Sequence, residues 1–134
     1  MVQRERVMEK NIKILVVDDF ATMRKVLRNL LKQGGYENIV EAADGIAALQ
    51  IIKNEKIDFI ISDWNMPNMS GLDLLKTVRA DKELSDTPFL MVTAETLPER
   101  VISAVKAGAS SYITKPFTAD VLNEKIAKIM EKMG

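Results

Sequence analysis

The sequence predicts an α/β domain, a doubly wound parallel sheet of five strands with helices on both faces. Three observations predict it. Short, continuously apolar and mostly β-branched runs recur along the chain, as strands buried on both faces require. Amphipathic helical patterns lie between those runs, and five such alternations demand parallel strands joined by crossover helices.

The runs Ile14 to Val17, Phe59 to Ile61 and Phe89 to Val92 are the clear strands, with Tyr112 to Thr114 a mixed one and Asn38 to Glu41 a weaker one. Met23, Val26, Leu27, Leu30 and Leu31 share one face of the first helix, and Gly34 and Gly35 give its stop signal. Further helices are predicted near Gly45 to Asn54, Leu72 to Ala80, Pro98 to Ala107 and Ala119 to Met133. The last carries Val121, Leu122, Ile126 and Ile129 on its buried side, and Gly108 and Gly134 serve as C-terminal stops. Residues 1–10 read as a short, poorly ordered N-terminal extension, since Met8 opens the segment that leads into the first strand; residues 11–134 read as the single domain.

At 134 residues, 47% of them apolar, the chain can fill one core. Lysine plus arginine (19) balances aspartate plus glutamate (19), so no overall field draws it to nucleic acid or an anionic membrane, and a partner must read a local patch. Without cysteine or histidine there are no disulfides, no thiolate chemistry and no Cys/His zinc site. No run is long enough for a signal peptide or a membrane span, so the expectation is a cytoplasmic protein with no membrane insertion. Chemistry must come from carboxylates, hydroxyls and lysines.

In an open parallel sheet the working site lies outside the carboxyl ends of the strands. There the first strand delivers Asp18 and Asp19, the third Asp63, the fourth Thr93 and the fifth Lys115, followed by Pro116. Taken singly, Asp18 or Asp19 is ordinarily a helix N-cap, Lys115 a salt-bridge partner of the acids, and Thr93 a common strand-end residue. Together, three carboxylates raise one another's pKa unless a cation sits among them. With only oxygen ligands on offer, that cation is Mg²⁺, which keeps waters and binds through one or two carboxylates plus a phosphate. Lys115 and the Thr93 hydroxyl can then meet the oxygens of a phosphoryl group.

The stretches VVDD, DWNMPNMSG, MVTA, GASSY and KPF, in this order and at these spacings, resemble the receiver domain of bacterial response regulators from about Ile12 onward. ISDWNMPNMSGLDLLK and ITKPFTADVL are most similar to its single-domain chemotaxis members. The resemblance implies a flavodoxin-like strand order 2-1-3-4-5, Asp63 as the phosphoacceptor, and Asp19, Asp63 and the backbone carbonyl of Asn65 as Mg²⁺ ligands with Asp18 helping through water. It implies that Thr93 and Lys115 contact the phosphoryl group, that the peptide before Pro116 is cis, and that Thr93 and Tyr112 form a switch altering the face of the fourth helix, fifth strand and fifth helix. Asn65 and Glu95 stand two residues past Asp63 and Thr93, where family members tune phosphoryl lifetime.

The implied function is a phosphoacceptor signalling protein with intrinsic autophosphorylation and autodephosphorylation, not an enzyme acting on an external substrate. Its expected partners are a chemotaxis-type histidine kinase upstream, the flagellar motor switch downstream and a phosphatase, with the chain itself a monomer. Thr96, Leu97 and Pro98 replace a more basic stretch found in enteric members, which weakens the motor assignment; Lys106, Lys125 and Lys128 keep basic character near that face. Trp64 has no expected chemical role, being packed core or a reporter at the rim. Alternatives are a phosphorelay carrier or regulator of another signalling protein with no flagellar target, an aspartate-dependent phosphohydrolase, and a flavin carrier. The phosphohydrolase expects an acid where Asn65 stands, and the acidic strand ends would repel a flavin phosphate.

Overall fold

The computed structural model describes residues 11–94 and 97–133. The expected extension, residues 1–10, therefore lies outside the described residues, as do Glu95, Thr96 and Gly134. Five strands alternate with five helices: β1 (Ile14–Val17), α1 (Ala21–Gln33), β2 (Ile39–Ala42), α2 (Gly45–Asn54), β3 (Phe59–Asp63), α3 (Gly71–Ala80), β4 (Phe89–Thr93), α4 (Pro98–Ala107), β5 (Ser111–Thr114) and α5 (Ala119–Met133). All neighbouring strands pair in parallel, in the order β2-β1-β3-β4-β5. That is the expected doubly wound, flavodoxin-like arrangement.

Alternation along each strand sorts the apolar residues into two cores. Ile14, Val16, Phe59, Ile61, Leu90 and Val92 point toward α1 and α5, where Leu27, Leu31, Leu122 and Ile126 meet them. Leu15, Val17, Ile60, Phe89 and Met91 point the other way, against Ala48, Ile52, Leu74, Leu75, Val78 and Ala104 of α2, α3 and α4. The strands are apolar throughout because both faces are covered, and fully burying one Leu, Ile or Phe side chain stabilises by about 1.5–3 kcal/mol.

Element ends follow local chemistry. Asp44 caps α2 by accepting from the Ala47 N–H at 2.8 Å, and Ser70 caps α3 by accepting from the Asp73 N–H at 3.1 Å. At the end of α1, Gly34 keeps a right-handed conformation and Gly35 takes the positive φ of 95°. Gly71 is required by close approach: a Cβ there would lie 2.2 Å from the Asp63 carbonyl oxygen, because the start of α3 is pressed onto the end of β3. The Gly71 N–H donates to the Trp64 carbonyl at 2.8 Å, closing that loop around the strand end. The register Asp63↔Val92 then sets Thr93 of β4 one residue beyond Asp63 at the carboxyl edge of the sheet.

Candidate functional site: a carboxylate cluster at the strand ends

Asp63 is the last residue of β3, and Asp18 and Asp19 follow β1, its parallel neighbour, so the sheet itself sets the three acids side by side. One oxygen from each lies within 4.8 Å of the others. Neither Asp18 nor Asp19 is the N-cap that either acid alone would suggest. The cap position of α1 is Phe20, with no side-chain hydrogen bond, and Asp18 instead accepts from the Phe20 N–H through Oδ1 at 2.9 Å. This local bond leaves Asp18 Oδ2, and likewise Asp19 Oδ1, buried without a hydrogen-bond partner. Orphaned buried carboxylate oxygens are costly. A hard divalent cation answers that cost, so the donor set fits the expected ion.

Lys115 follows β5 and reaches back across the sheet edge. Its Nζ lies 3.3 Å from Asp63 Oδ1 and 3.7 Å from Asp18 Oδ2, the salt bridge expected of it. Its own N–H donates to the Thr93 carbonyl at 2.9 Å, and the peptide to Pro116 is cis. Burial pushes the Asp63 carboxyl above its ordinary value; Asp18 adds to that, while Lys115 and the Trp64 main chain oppose it. An acid held in this state is a functional-site candidate on physical grounds.

Thr93, buried at the end of β4, stands beside this cluster by register. Tyr112 does not join it. Half-buried on β5, it packs against the core under α2, α3 and α4, with Lys125 Nζ of α5 5.6 Å from its ring centroid. Asn65 is exposed, and its Oδ1 accepts from Arg100 Nη1 at 3.2 Å. Trp64 is 8% exposed and packed in the core. Of the basic residues expected near the output face, Lys125 and Lys128 line a groove of about 530 Å³ beside β5 together with Lys132, while Lys106 is not among its lining residues. Lys128 also pairs with Glu124 one turn earlier, at 3.1 Å.

Three arginines around the site escaped the sequence reading. Arg24 donates to the Asp18 carbonyl at 2.7 Å and to Glu41 Oε1 at 3.1 Å, while Arg28 bonds Glu41 Oε2 at 2.9 Å. Their spacing of four on one helix face was the available signal. Arg100 touches the residues next to Asp63 from 35 positions away, and no local pattern announces that.

Comparison with known proteins agrees with this geometry. The model of the response regulator receiver domain matches residues 14–127. The chain is 52% identical over 129 residues to chemotaxis protein CheY-3 of Vibrio cholerae, covering 96% of this chain and 99% of that protein. It is 52% identical over 123 residues to chemotaxis protein CheY of Pseudomonas aeruginosa, covering 92% and 99%. Among solved structures, V. cholerae CheY4 superposes with a TM-score of 0.83 at 37% identity, over 89% of this chain and 98% of that one. The receiver domain of a P. aeruginosa sensor histidine kinase, with a magnesium ion coordinated in its active site cleft, superposes at 0.82 with 26% identity, over 90% and 98%. No described helix is long and apolar enough to cross a membrane. Strand order, clustered acids at the sheet's carboxyl edge and sequence identity across nearly the whole chain converge: the chain belongs to the response regulator receiver domain family.

Proposed function

We propose that this chain is a single-domain chemotaxis response regulator that accepts a phosphoryl group on Asp63. One observation carries the reading: Lys115 Nζ stands 3.3 Å from Asp63 Oδ1, within a cluster of three carboxylates whose free oxygens call for a cation. Asp63 attacks the phosphorus of a phosphohistidine or small acyl phosphate, the bond to the leaving nitrogen or oxygen breaks, and water later hydrolyses the aspartyl phosphate. Lys115 and the Thr93 hydroxyl hold the phosphoryl oxygens. Asp19, Asp63 and the Asn65 carbonyl would hold Mg²⁺, with Asp18 helping through water. When bound, Mg²⁺ neutralises charge on the transferring group.

The output surface in this reading comprises α4, β5 and α5, with Thr93 and Tyr112 as its switch. Its supports are the lysine-lined groove beside β5 and the exposed apolar residues Leu97, Ile102 and Val105 of α4 and the loop before it. A histidine kinase supplies the phosphoryl group, and the flagellar motor switch is the proposed recipient, by likeness to the chemotaxis relatives. Incubation with an acyl phosphate and Mg²⁺ should add the mass of one phosphoryl group to the wild type and none to Asp63→Asn. Equal labelling of the two would overturn the assignment, and failure of the phosphorylated protein to bind a motor-switch peptide more tightly would redirect the output.

A further inference from the structure

Arg100 lies in the first turn of α4, and its guanidinium makes two contacts with the residues that directly follow Asp63 in sequence. Its Cζ sits 5.0 Å from the centroid of the Trp64 ring, a cation–π distance. Its Nη1 donates to Asn65 Oδ1 at 3.2 Å. Either contact alone, near the surface, is weak. Made by one planar guanidinium, they fix each other's geometry. A donor that holds Oδ1 also settles which way the Asn65 amide points, leaving its NH₂ group to donate elsewhere.

We infer that Arg100 is a positioning residue for the Asp63 site: it restrains the Asn65 amide and covers the Trp64 indole, and thereby lengthens the life of the aspartyl phosphate. The inference rests on the reading of Asp63 as the phosphoryl acceptor. Without the clasp, the exposed Asn65 side chain regains rotamer freedom and the edge of the Trp64 indole loses its cover, which opens the rim beside the acceptor to water. The planar fork matters as well as the charge. A lysine ammonium keeps the charge but cannot lie flat on the indole while donating sideways to the amide.

The test follows hydrolysis of the aspartyl phosphate, after removal of an acyl phosphate donor, in wild type, Arg100→Ala, Arg100→Lys, Asn65→Ala and the double variant Arg100→Ala/Asn65→Ala. Removing the clasp should shorten the half-life about three- to tenfold in both single Arg100 variants. The emission of Trp64, the one tryptophan, should shift in the unphosphorylated forms of both. In the Asn65→Ala background, Arg100→Ala should add little, because the two residues act as one unit. Unchanged lifetimes, full rescue by lysine, or an undiminished Arg100→Ala effect in the double variant would each overturn the inference. Mass spectrometry of the wild type comes first: absence of a phosphoryl adduct there refutes the acceptor reading itself, before any lifetime is compared.

Discussion

Asp63 carries a charge that its surroundings disfavour. Burial is the largest cause and Asp18 adds to it, so the folded chain holds the Asp63 proton above the ordinary value of 3.8. The sign follows from linkage: a carboxyl raised on folding contributes stability that is complete below 3.8 and is lost as pH rises through the folded value. At neutral pH ionised Asp63 therefore costs stability, and Asp63→Asn should melt higher than the wild type in metal-free buffer. The gain should shrink to nothing as pH falls below that ordinary value; an asparagine variant that melts lower at neutral pH would contradict it. Asp18, Asp19, Asp63, Thr93 and Lys115 were legible in the sequence because each sits just where an apolar run stops, and a parallel sheet brings such stops to one edge. Arg100 and Arg79 were not legible. Arg100 reaches Asn65 across 35 positions, and Arg79 bonds carbonyls 6, 8 and 29 positions on, none of which a helical or strand periodicity announces.

Element boundaries show the same division. β1, α2, α4 and α5 match the expected spans, while β3 and β4 run on into Asp63 and Thr93, past the last apolar residue, because ladder pairing continues into the site. Glu41 on the edge strand β2 ties that strand to α1 through Arg24 and Arg28. Burial would raise its carboxyl, but the hydrogen bonds and charges of Arg28 and Arg24 outweigh this and hold it below the ordinary 4.5. The sign is opposite to that of Asp63: this stability is present above 4.5 and is lost as pH falls through the depressed value. Because the pair is partly solvated, Glu41→Gln should cost no more than about 1 kcal/mol at neutral pH by urea unfolding, with the difference from wild type closing in acid. On the opposite side of the sheet Arg79, at the end of α3, donates to the carbonyls of Gly108, Ser85 and Thr87 at 2.9, 3.1 and 2.6 Å. One side chain thereby holds the loop before β4 and the turn after α4. Arg79→Ala strands those carbonyls and should cost about 2–3 kcal/mol in the same assay, whereas a loss under a few tenths would mean that water replaces the guanidinium.

At the scale of the whole molecule, the two apolar cores hold the sheet rigid while its carboxyl edge gathers charge that the fold alone does not satisfy. Asp18 Oδ2 and Asp19 Oδ1 are buried without hydrogen-bond partners, and Lys115 is shared between Asp18 and Asp63. A cation that binds only the folded form of such a molecule would stabilise it by mass action. Mg²⁺ at ten times its dissociation constant should add about 1.4 kcal/mol. For a chain of 134 residues that is a rise in melting temperature of about 5 °C. A chelator should reverse the rise. Asp19→Asn should melt at or above the metal-free wild type, since one repelling charge is gone, yet show little further rise with Mg²⁺. A wild-type melting point indifferent to Mg²⁺, or an equal rise in Asp19→Asn, would show that the acids at the strand ends are held apart by the fold and await no ion.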